Sequence, residues 1–191
     1  MLALGLVLAM GACRRGDAGQ ARAAAPVDSA RPAVQALAAF RAGIPETREL
    51  GGAWAGDRDT LVARFARALE RADTAAFMPM MMNRAEFAWL YYEHDRQARP
   101  PYQLPPELMW SQVMAQGEQG ITRALSRFGG RPLEYRGYAC QAEERRGPNR
   151  VWTGCRLSVL DAAGRRVEAR LFGGILERGG RYKIFSYAND L

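Results

Sequence analysis

The stretch FMPMMMNR, residues 77–84, places four of the chain's eight methionines within five positions. Thioether sulfurs are soft ligands that suit Cu(I), so this spacing raises the hypothesis of a copper site. The candidate ligands are Met78, Met80, Met81, Met82 and His94. The alternative is that flexible methionine side chains fill irregular gaps in a hydrophobic core. Large aromatic residues crowd the segment, so the sequence favours packing, and Cu(I) binding stays a hypothesis to be tested.

The segment AWLYYEHD contains the only histidine, His94, between Glu93 and Asp95. A histidine beside carboxylates can carry out general acid–base catalysis. Neighbouring residues on a helix point in different directions, however, so Glu93 and Asp95 cannot both address one substrate together with His94. A histidine near the end of a helix also interacts favourably with the helix dipole. We therefore assign no catalytic residue.

Aromatic residues concentrate between positions 89 and 138, and together with nearby polar residues they could line a pocket for a small apolar ligand. Such pockets are mostly apolar and contain a few polar anchors. The pocket-lining candidates are Glu86, Trp89, Tyr91, His94, Trp110, Gln112, Arg123 and Tyr138. The alternative, which we favour, is that the rings fill a core. Nothing in the pattern indicates a cofactor.

The N-terminal residues MLALGLVLAMGAC combine an apolar run, residues 2–10, with small Gly11 and Ala12 before Cys13. An apolar segment followed by small residues is typical of a secretory signal, here residues 1–12. The cysteine after the small pair resembles the bacterial lipobox, in which this residue is lipidated and becomes the mature N-terminus. A plain signal peptide and a short buried helix are the alternatives. The apolar run is too short to span a bilayer, which needs about 20 residues.

Residues 13–32 contain alanine, glycine, proline and charged residues but almost no large apolar side chain. This composition predicts a flexible tether. An acylated Cys13 followed by a tether would hold a domain at a membrane surface. We therefore predict an exported protein of the bacterial envelope that is anchored in a membrane by its lipid and faces the periplasm or the exterior.

Cys140 and Cys155 lie in two strand-like runs, LEYRGYACQ and RVWTGCRLSV, on either side of Gly147 and Pro148. In a hairpin centred on that turn, paired residue numbers sum to 295, as the two cysteine numbers do. The two thiols would then face each other across the ladder, within reach of a disulfide. No CxxC motif or nearby histidine favours a metal site, and two reduced cysteines are the other alternative. We predict a Cys140–Cys155 disulfide, which indicates an oxidising compartment.

The composition is that of a globular protein, since 48% of the 191 residues are hydrophobic and 25% are charged. The net charge is +7, and 26 of the 27 basic residues are arginine. These arginines are scattered along the chain, whereas nucleic-acid-binding proteins usually cluster their positive charge. We therefore expect no nucleic-acid partner.

Apolar residues at helical spacing predict helices in the first two thirds of the chain. The predicted helices cover residues 33–41, about 59–72, 74–81, 84–95 and 106–128. Gly129 and Gly130, followed by Pro132, are typical of a helix stop. We expect residues 33–56 to form a short helix and a connector, and residues 57–191 to form a single domain.

After Leu133 the apolar period changes from 3.6 to 2, which predicts strands. The four candidates are residues 133–141, 150–160, 165–177 and 181–188. Short links between successive strands imply an antiparallel meander. Gly173 and Gly174 inside a strand predict a bulge or bend. The expected fold is therefore α+β, with N-terminal helices packed on a curved, cone-like antiparallel sheet of about four strands.

The segment RDTLVARFARALERADTAAF resembles the first helices of a nuclear transport factor 2-like (cystatin-like α+β) domain, and VEARLFGGILERGGRYKIFSYAND resembles the last two strands of that superfamily. The resemblance covers about residues 57–190. It implies helices over a curved sheet, and superfamily members range from ketosteroid isomerases and polyketide cyclases to non-enzymatic binding and secretion proteins. A shared fold therefore does not select a function.

From these patterns we expect a lipid-anchored envelope protein that binds a small apolar ligand or an envelope protein. Two alternatives remain open at this point. One is a cofactor-free isomerase, dehydratase or hydrolase that acts in a cavity between helices and sheet. The other is a Cu(I)-binding envelope protein that uses the methionine segment.

Overall fold

The computed structural model describes residues 33–191, so the predicted signal segment, Cys13 and the tether lie outside the described residues. The α-helices are α1 (Ala33–Arg41), α2 (Arg58–Glu70), α3 (Thr74–Met80), α4 (Arg84–Glu86) and α5 (Pro106–Phe128). The strands are β1 (Gly137–Ala139), β2 (Ala142–Arg146), β3 (Asn149–Thr153), β4 (Arg156–Leu160), β5 (Arg166–Ala169), β6 (Gly174–Arg178) and β7 (Arg181–Ser186). The predicted α+β class is confirmed.

Local signals place the two longest helices. The Asp57 carboxylate caps α2 by accepting a hydrogen bond from the Thr60 backbone N–H at 2.6 Å. This hydrogen bond lowers the pKa of Asp57. Helix α5 begins at Pro106, whose missing N–H costs nothing in a first helical turn, and it ends at Phe128 before the predicted glycine stop.

The predicted helix over residues 84–95 is present as one helical run over residues 84–94, but it is not a regular α-helix. Helix α4 has three residues, and it is followed by a π-helical turn, Phe87–Tyr91, and by 3₁₀ turns at Tyr92–His94 and Arg96–Ala98. The side chains from Phe87 to Tyr92 are almost all buried. In a regular α-helix, six consecutive side chains would point in all directions, and only those on one apolar stripe would be buried. Changes of helical pitch let these neighbouring large residues all enter the core.

Each of the four predicted strands contains a strand, but the second and the third break in the middle, into β3 with β4 and β5 with β6. The seven observed strands form a four-stranded antiparallel sheet in the order β2-β3-β6-β7 and a three-stranded antiparallel sheet in the order β1-β4-β5. Residues 142–146, which the prediction assigns to a loop, form β2 and pair with β3. Strand β2 reads AEERR, and its charged, exposed residues obscured the strand pattern.

The predicted irregularity at Gly173 and Gly174 is confirmed, because the pairing of β6 with β7 shifts register between Gly174 and Ile175. The backbones are close here, and a Cβ on Gly174 would lie 2.3 Å from the carbonyl oxygen of Trp152. Only glycine fits such a contact without displacing the neighbouring strand.

The predicted disulfide is confirmed, with an S–S distance of 2.05 Å between Cys140 and Cys155. The hairpin has the predicted register, since Arg146 pairs with Asn149 across the turn. Cys140 lies between β1 and β2, and Cys155 lies between β3 and β4. The disulfide therefore joins the two ribbons where each passes from one sheet to the other.

The four-stranded sheet is covered on both faces. Trp152 and Ile175 belong to a core cluster with α2, α3 and α5, whereas the adjacent Val151 and Leu176 belong to a second cluster with α1 and the π-helical turn. Successive side chains of a strand point to opposite faces, so each cluster packs on a different face. The sequence predicts helices packed on a single curved sheet, whereas the structure has two sheets, one of which is covered by helical segments on both faces.

Candidate functional site

Glu86, a predicted pocket anchor, is 1% exposed and forms a buried ion pair with Lys183 of β7. The Lys183 Nζ atom donates to both carboxylate oxygens, at 3.0 and 2.8 Å. The backbone N–H groups of Gly51 and Asn83 each donate to one of these oxygens at 2.7 Å. The carboxylate is therefore fully engaged in holding α4, the connector and β7 together, and it has no free oxygen for a ligand.

Tyr91, another pocket candidate, belongs to a second polar network. Its hydroxyl donates to the Asp95 carboxylate at 2.7 Å, and the Arg146 guanidinium donates to the same carboxylate at 2.6 Å. Burial, the negative charge of Asp95 and the hydrogen bond to it raise the pKa of Tyr91 above its usual range. The network ties the irregular helical segment to the β2–β3 hairpin.

His94 packs against the turn of that hairpin, because a Cβ on Gly147 would lie 2.5 Å from the histidine Nδ1 atom. Burial lowers the pKa of His94, and the charge of Arg178 lowers it further. The neutral imidazole therefore rests on backbone, and neither Glu93 nor Asp95 is a hydrogen-bond partner among the described residues.

The other five pocket candidates are dispersed. Trp89 lines a shallow groove of about 440 Å³ beside α1, and the guanidinium of Arg41 stacks 4.3 Å from its ring. Trp110 packs on Phe87. The remaining three are Gln112, which is exposed, Arg123, which donates to Asn189 at 3.0 Å, and Tyr138, which donates to Asp59 at 3.1 Å. Burial raises the pKa of Tyr138. The structure does not bring these residues to one pocket.

Aromatic rings occupy the interior between the helices and the sheets. Phe65 lies 5.3 to 5.8 Å from the rings of Phe77, Phe172 and Tyr187. The Tyr187 hydroxyl donates to the Phe77 carbonyl oxygen at 2.6 Å, and burial raises the pKa of Tyr187. This arrangement supports the interpretation that the aromatic residues fill a core.

The methionine side chains diverge. Met80 and Met81 enter the first core cluster, and Met82 enters the second, on the other face of the sheet. Met78 is 48% exposed. The residues from Met81 to Met82 run beside β7, where the Met82 N–H donates to the Ile184 carbonyl oxygen. Alternate side chains of an extended segment point in opposite directions, so this geometry favours packing over shared coordination of one ion.

A larger groove lies elsewhere, between the C-terminal end of α5 and strand β5, and we name it the β5 groove. Its volume is about 720 Å³. The apolar part of its lining includes Phe128, Val167 and Ala169. The arginines that line it are Arg127, Arg131, Arg156, Arg165 and Arg170. The carboxylates that line it are Asp161, Glu168 and Asp190. Five guanidiniums and three carboxylates give the side chains of the lining a formal net charge of +2.

The charges of the β5 groove are unevenly neutralised. Arg165 pairs with Asp161 at 2.8 Å, and Arg170 pairs with Asp190 at 3.3 Å. Hydrogen bonds from Arg165 lower the pKa of Asp161, which keeps this carboxylate ionised. Within the described part of the chain, Arg127 and Arg131 have no carboxylate at salt-bridge distance. Two guanidiniums therefore remain available for an anion, at the edge of an apolar floor.

Sequence reasoning missed the β5 groove because its arginines come from three separate regions of the chain. Arg127 lies in the last turn of α5 and Arg131 follows the glycine stop. Arg156 and Arg165 belong to the β4–β5 hairpin, and Arg170 follows β5. Only the tertiary fold brings them together. It also missed Lys183, although a lone lysine among 26 arginines was a usable signal.

Comparisons with protein-family models, with curated proteins and with solved structures find no match to this chain. The resemblance to nuclear transport factor 2-like domains therefore stays a prediction. No helix in residues 33–191 is long and apolar enough to cross a membrane. Over the same range, no group of three or more histidine, cysteine, aspartate or glutamate side chains is placed to hold a metal ion.

Proposed function

We propose that this chain is a lipid-anchored protein of the bacterial cell envelope whose α+β domain binds a partner through the β5 groove. The observation that carries the proposal is the pair Arg127 and Arg131, which lack ion-pair partners among the described residues and flank an apolar floor. Uncompensated guanidiniums beside apolar surface are a recurrent feature of protein binding sites.

The anchor part of the proposal comes from the N-terminal sequence, where Cys13 follows an apolar run and two small residues. The Cys140–Cys155 disulfide is consistent with export, because disulfides persist mainly in oxidising compartments. A tether of about twenty residues would allow the domain to reach a partner near the membrane surface.

Catalysis in an interior cavity has less support. The polar anchors that such a cavity would need are already bonded within the fold, Glu86 to Lys183 and Tyr91 to Asp95. Copper binding through the methionine segment has less support as well, since the side chains of Met80 and Met82 enter different core clusters.

The anchor is tested by Cys13→Ser in bacterial cells that express the full chain. We expect the variant to lose palmitate labelling and to move from the membrane fraction to the soluble fraction, because the acyl chains supply the membrane affinity. Ala18→Ser, in the tether, is the matched control and should fractionate like the native chain. Membrane association of Cys13→Ser at the native level would refute lipid anchoring.

The binding role of the groove is tested by photo-crosslinking in the same cells. A photoreactive amino acid at Ala163, which is exposed and lines the groove, should give a discrete crosslinked adduct. The same amino acid at the exposed Ala115 of α5, outside the groove lining, is the control and should not give that adduct. Equal crosslinking at both positions, or none at Ala163, would contradict the proposed role.

A further inference from the structure

The three-stranded sheet has an open edge at β5. Strands β5 and β6 occupy corresponding positions in the two sheets. In the four-stranded sheet β7 pairs with the far side of β6, but in the three-stranded sheet no described strand pairs with the far side of β5. The chain after β7 contacts α5, Arg156 of β4 and the residues that follow β5, where Asn189 donates to the Leu171 carbonyl oxygen and Asp190 pairs with Arg170, but it adds no strand beside β5. The position that would hold a fourth strand beside β5 is therefore vacant among residues 33–191.

The hydrogen-bonding pattern identifies which backbone groups of β5 face that position. In the β4–β5 hairpin, the Asp161 N–H donates to the Arg165 carbonyl oxygen. Val159 pairs with Val167 and Leu157 pairs with Ala169 in the same register. Hydrogen-bonded pairs alternate along an antiparallel ladder, so odd-numbered residues of β5 bond to β4. The N–H and C=O groups of Arg166 and Glu168 therefore point away from the β4 backbone. The Glu168 carbonyl oxygen accepts one hydrogen bond from the Arg156 guanidinium at 3.3 Å and keeps its second lone pair for another donor.

These outward backbone groups adjoin the β5 groove. Val167, Glu168, Ala169 and Arg170 all line it, on the side opposite the end of α5. The four residues of β5 span about 13 Å, enough for an added strand of similar length. An extended segment in the groove could pair with the edge through its main chain and pack alternate side chains on Phe128 and Val167, as in peptide recognition by strand addition.

The charge of the groove selects the kind of segment. Arg127 and Arg131 have no ion-pair partner among the described residues, so acidic side chains in the groove would form charge-assisted hydrogen bonds with them. The chain's own residues 13–32 fit poorly, because they contain four arginines and two aspartates. A second copy fits poorly as well. It would bring its own groove lining, with five arginines and three acidic residues, against Arg127 and Arg131, and like charges repel each other.

We propose that the β5 groove binds an extended, acidic peptide segment of a partner protein as a fourth strand of the three-stranded sheet. This inference rests on the proposed function, and it names the class of partner. Main-chain hydrogen bonds to Arg166 and Glu168 hold the segment, and its carboxylates bind Arg127 and Arg131.

The test uses the full-length chain in detergent and a rhodamine-labelled eight-residue peptide that alternates valine with aspartate. Fluorescence anisotropy should report saturable binding. Arg127→Glu combined with Arg131→Glu should weaken it by about tenfold or more, because two charge-assisted contacts become repulsive. Arg48→Glu combined with Arg67→Glu makes the same change of charge at exposed sites outside the groove lining and should leave the affinity near the native value. An equal loss in both double variants would overturn the proposal.

Strand pairing is tested separately from charge. Two versions of the same peptide are used, one with methyl groups on the odd-numbered backbone nitrogens and one with methyl groups on the even-numbered ones. Each version keeps its carboxylates but loses the N–H donors along one edge of the strand. One of the two methylated peptides should lose at least about tenfold in affinity. Glu168→Pro removes an outward N–H at an edge position that tolerates proline, and it should weaken binding. Glu168→Thr removes the same charge but keeps the N–H, and it should bind the acidic peptide at least as tightly as the native chain because a like charge is lost from the lining.

Undiminished binding of both methylated peptides would overturn strand addition, since attraction between charges alone would then explain the affinity. Because that comparison uses only the native chain, it stands even if Glu168→Pro fails to fold. Absence of binding by the unmethylated peptide would overturn the inference as well. If a crosslinked adduct still formed through Ala163, the proposed binding role would survive and only the class of partner would be wrong.

Discussion

The single lysine of the chain is among its most buried residues. The side chains of Lys183 and Glu86 are 2% and 1% exposed, and they contact each other at 2.8 Å. Burying an isolated charge is costly, so each of these groups is tolerable only because the other is present. A lysine has a compact ammonium with three donors, which suits a narrow site between α4 and β7.

We expect Lys183→Met to lower the free energy of unfolding by about 3–5 kcal/mol, because it leaves the Glu86 carboxylate buried without its partner. Urea denaturation monitored by circular dichroism measures the loss. The double variant Lys183→Met with Glu86→Gln should recover part of it, since the amide still accepts from the Gly51 or Asn83 N–H but carries no charge.

Glu107→Gln provides the control, because Glu107 also forms an ion pair, with Arg84, but its side chain is 67% exposed. Its removal should cost less than about 1 kcal/mol. An effect of Lys183→Met as small as that of the control would mean that the buried pair contributes little to stability.

At the scale of the element, helix α5 contacts two different parts of the chain at two glycines, the C-terminal segment at Gly120 and the side chain of Met81 at Gly117. A Cβ on Gly120 would lie 1.9 Å from the carbonyl oxygen of Tyr187, so the C-terminal segment lies directly against the helix backbone. A Cβ on Gly117 would lie 3.7 Å from the sulfur of Met81, which is ordinary van der Waals contact. Asn189 completes the first contact by donating to the Gly120 carbonyl oxygen at 2.8 Å.

We expect Gly120→Ala to lower the free energy of unfolding by about 1–3 kcal/mol or more, because the added methyl overlaps backbone that cannot move without breaking the Asn189 contact. Gly117→Ala is the matched control on the same helix. It should be neutral or stabilise by up to about 1 kcal/mol, since alanine favours the helix and the site has room. Thermal unfolding compares the two variants. Equal destabilisation would contradict the difference in packing.

At the scale of the whole molecule, the disulfide connects the two sheets. Cys140 lies where the chain passes from β1 of the three-stranded sheet to β2 of the four-stranded sheet. Cys155 lies where it passes back, from β3 to β4. The bend brings Arg156, Arg170 and the end of β5 next to the C-terminal end of α5, where the β5 groove forms. The geometry of the groove therefore depends on how the two sheets are joined.

Replacing both cysteines with serine should lower the free energy of unfolding by about 3 kcal/mol, because the disulfide closes a loop with a sequence separation of 15 and restricts the unfolded chain. Thermal unfolding with and without a reductant measures this. The reductant should destabilise the native chain and leave the serine variant unchanged. A native chain that is insensitive to complete reduction would contradict the prediction.

Several features were predictable from the sequence because their causes are local. The bounds of α5 follow from Pro106 and from the glycines after Phe128, and the hairpin register follows from the turn at Gly147 and Pro148, which also places the two cysteines opposite each other. Propensity and turn chemistry act within a few residues, so they can be read along the chain.

The sequence by itself thus determined the α+β class, most of the helix bounds and the disulfide. The tertiary structure alone decided that the sheet divides in two, that helical segments cover both faces of one part, and that the predicted pocket residues bond to the protein instead of converging. It also decided that Arg127 and Arg131 line the same groove as β5. These features depend on contacts between residues far apart in the chain, which no local pattern of residue types specifies.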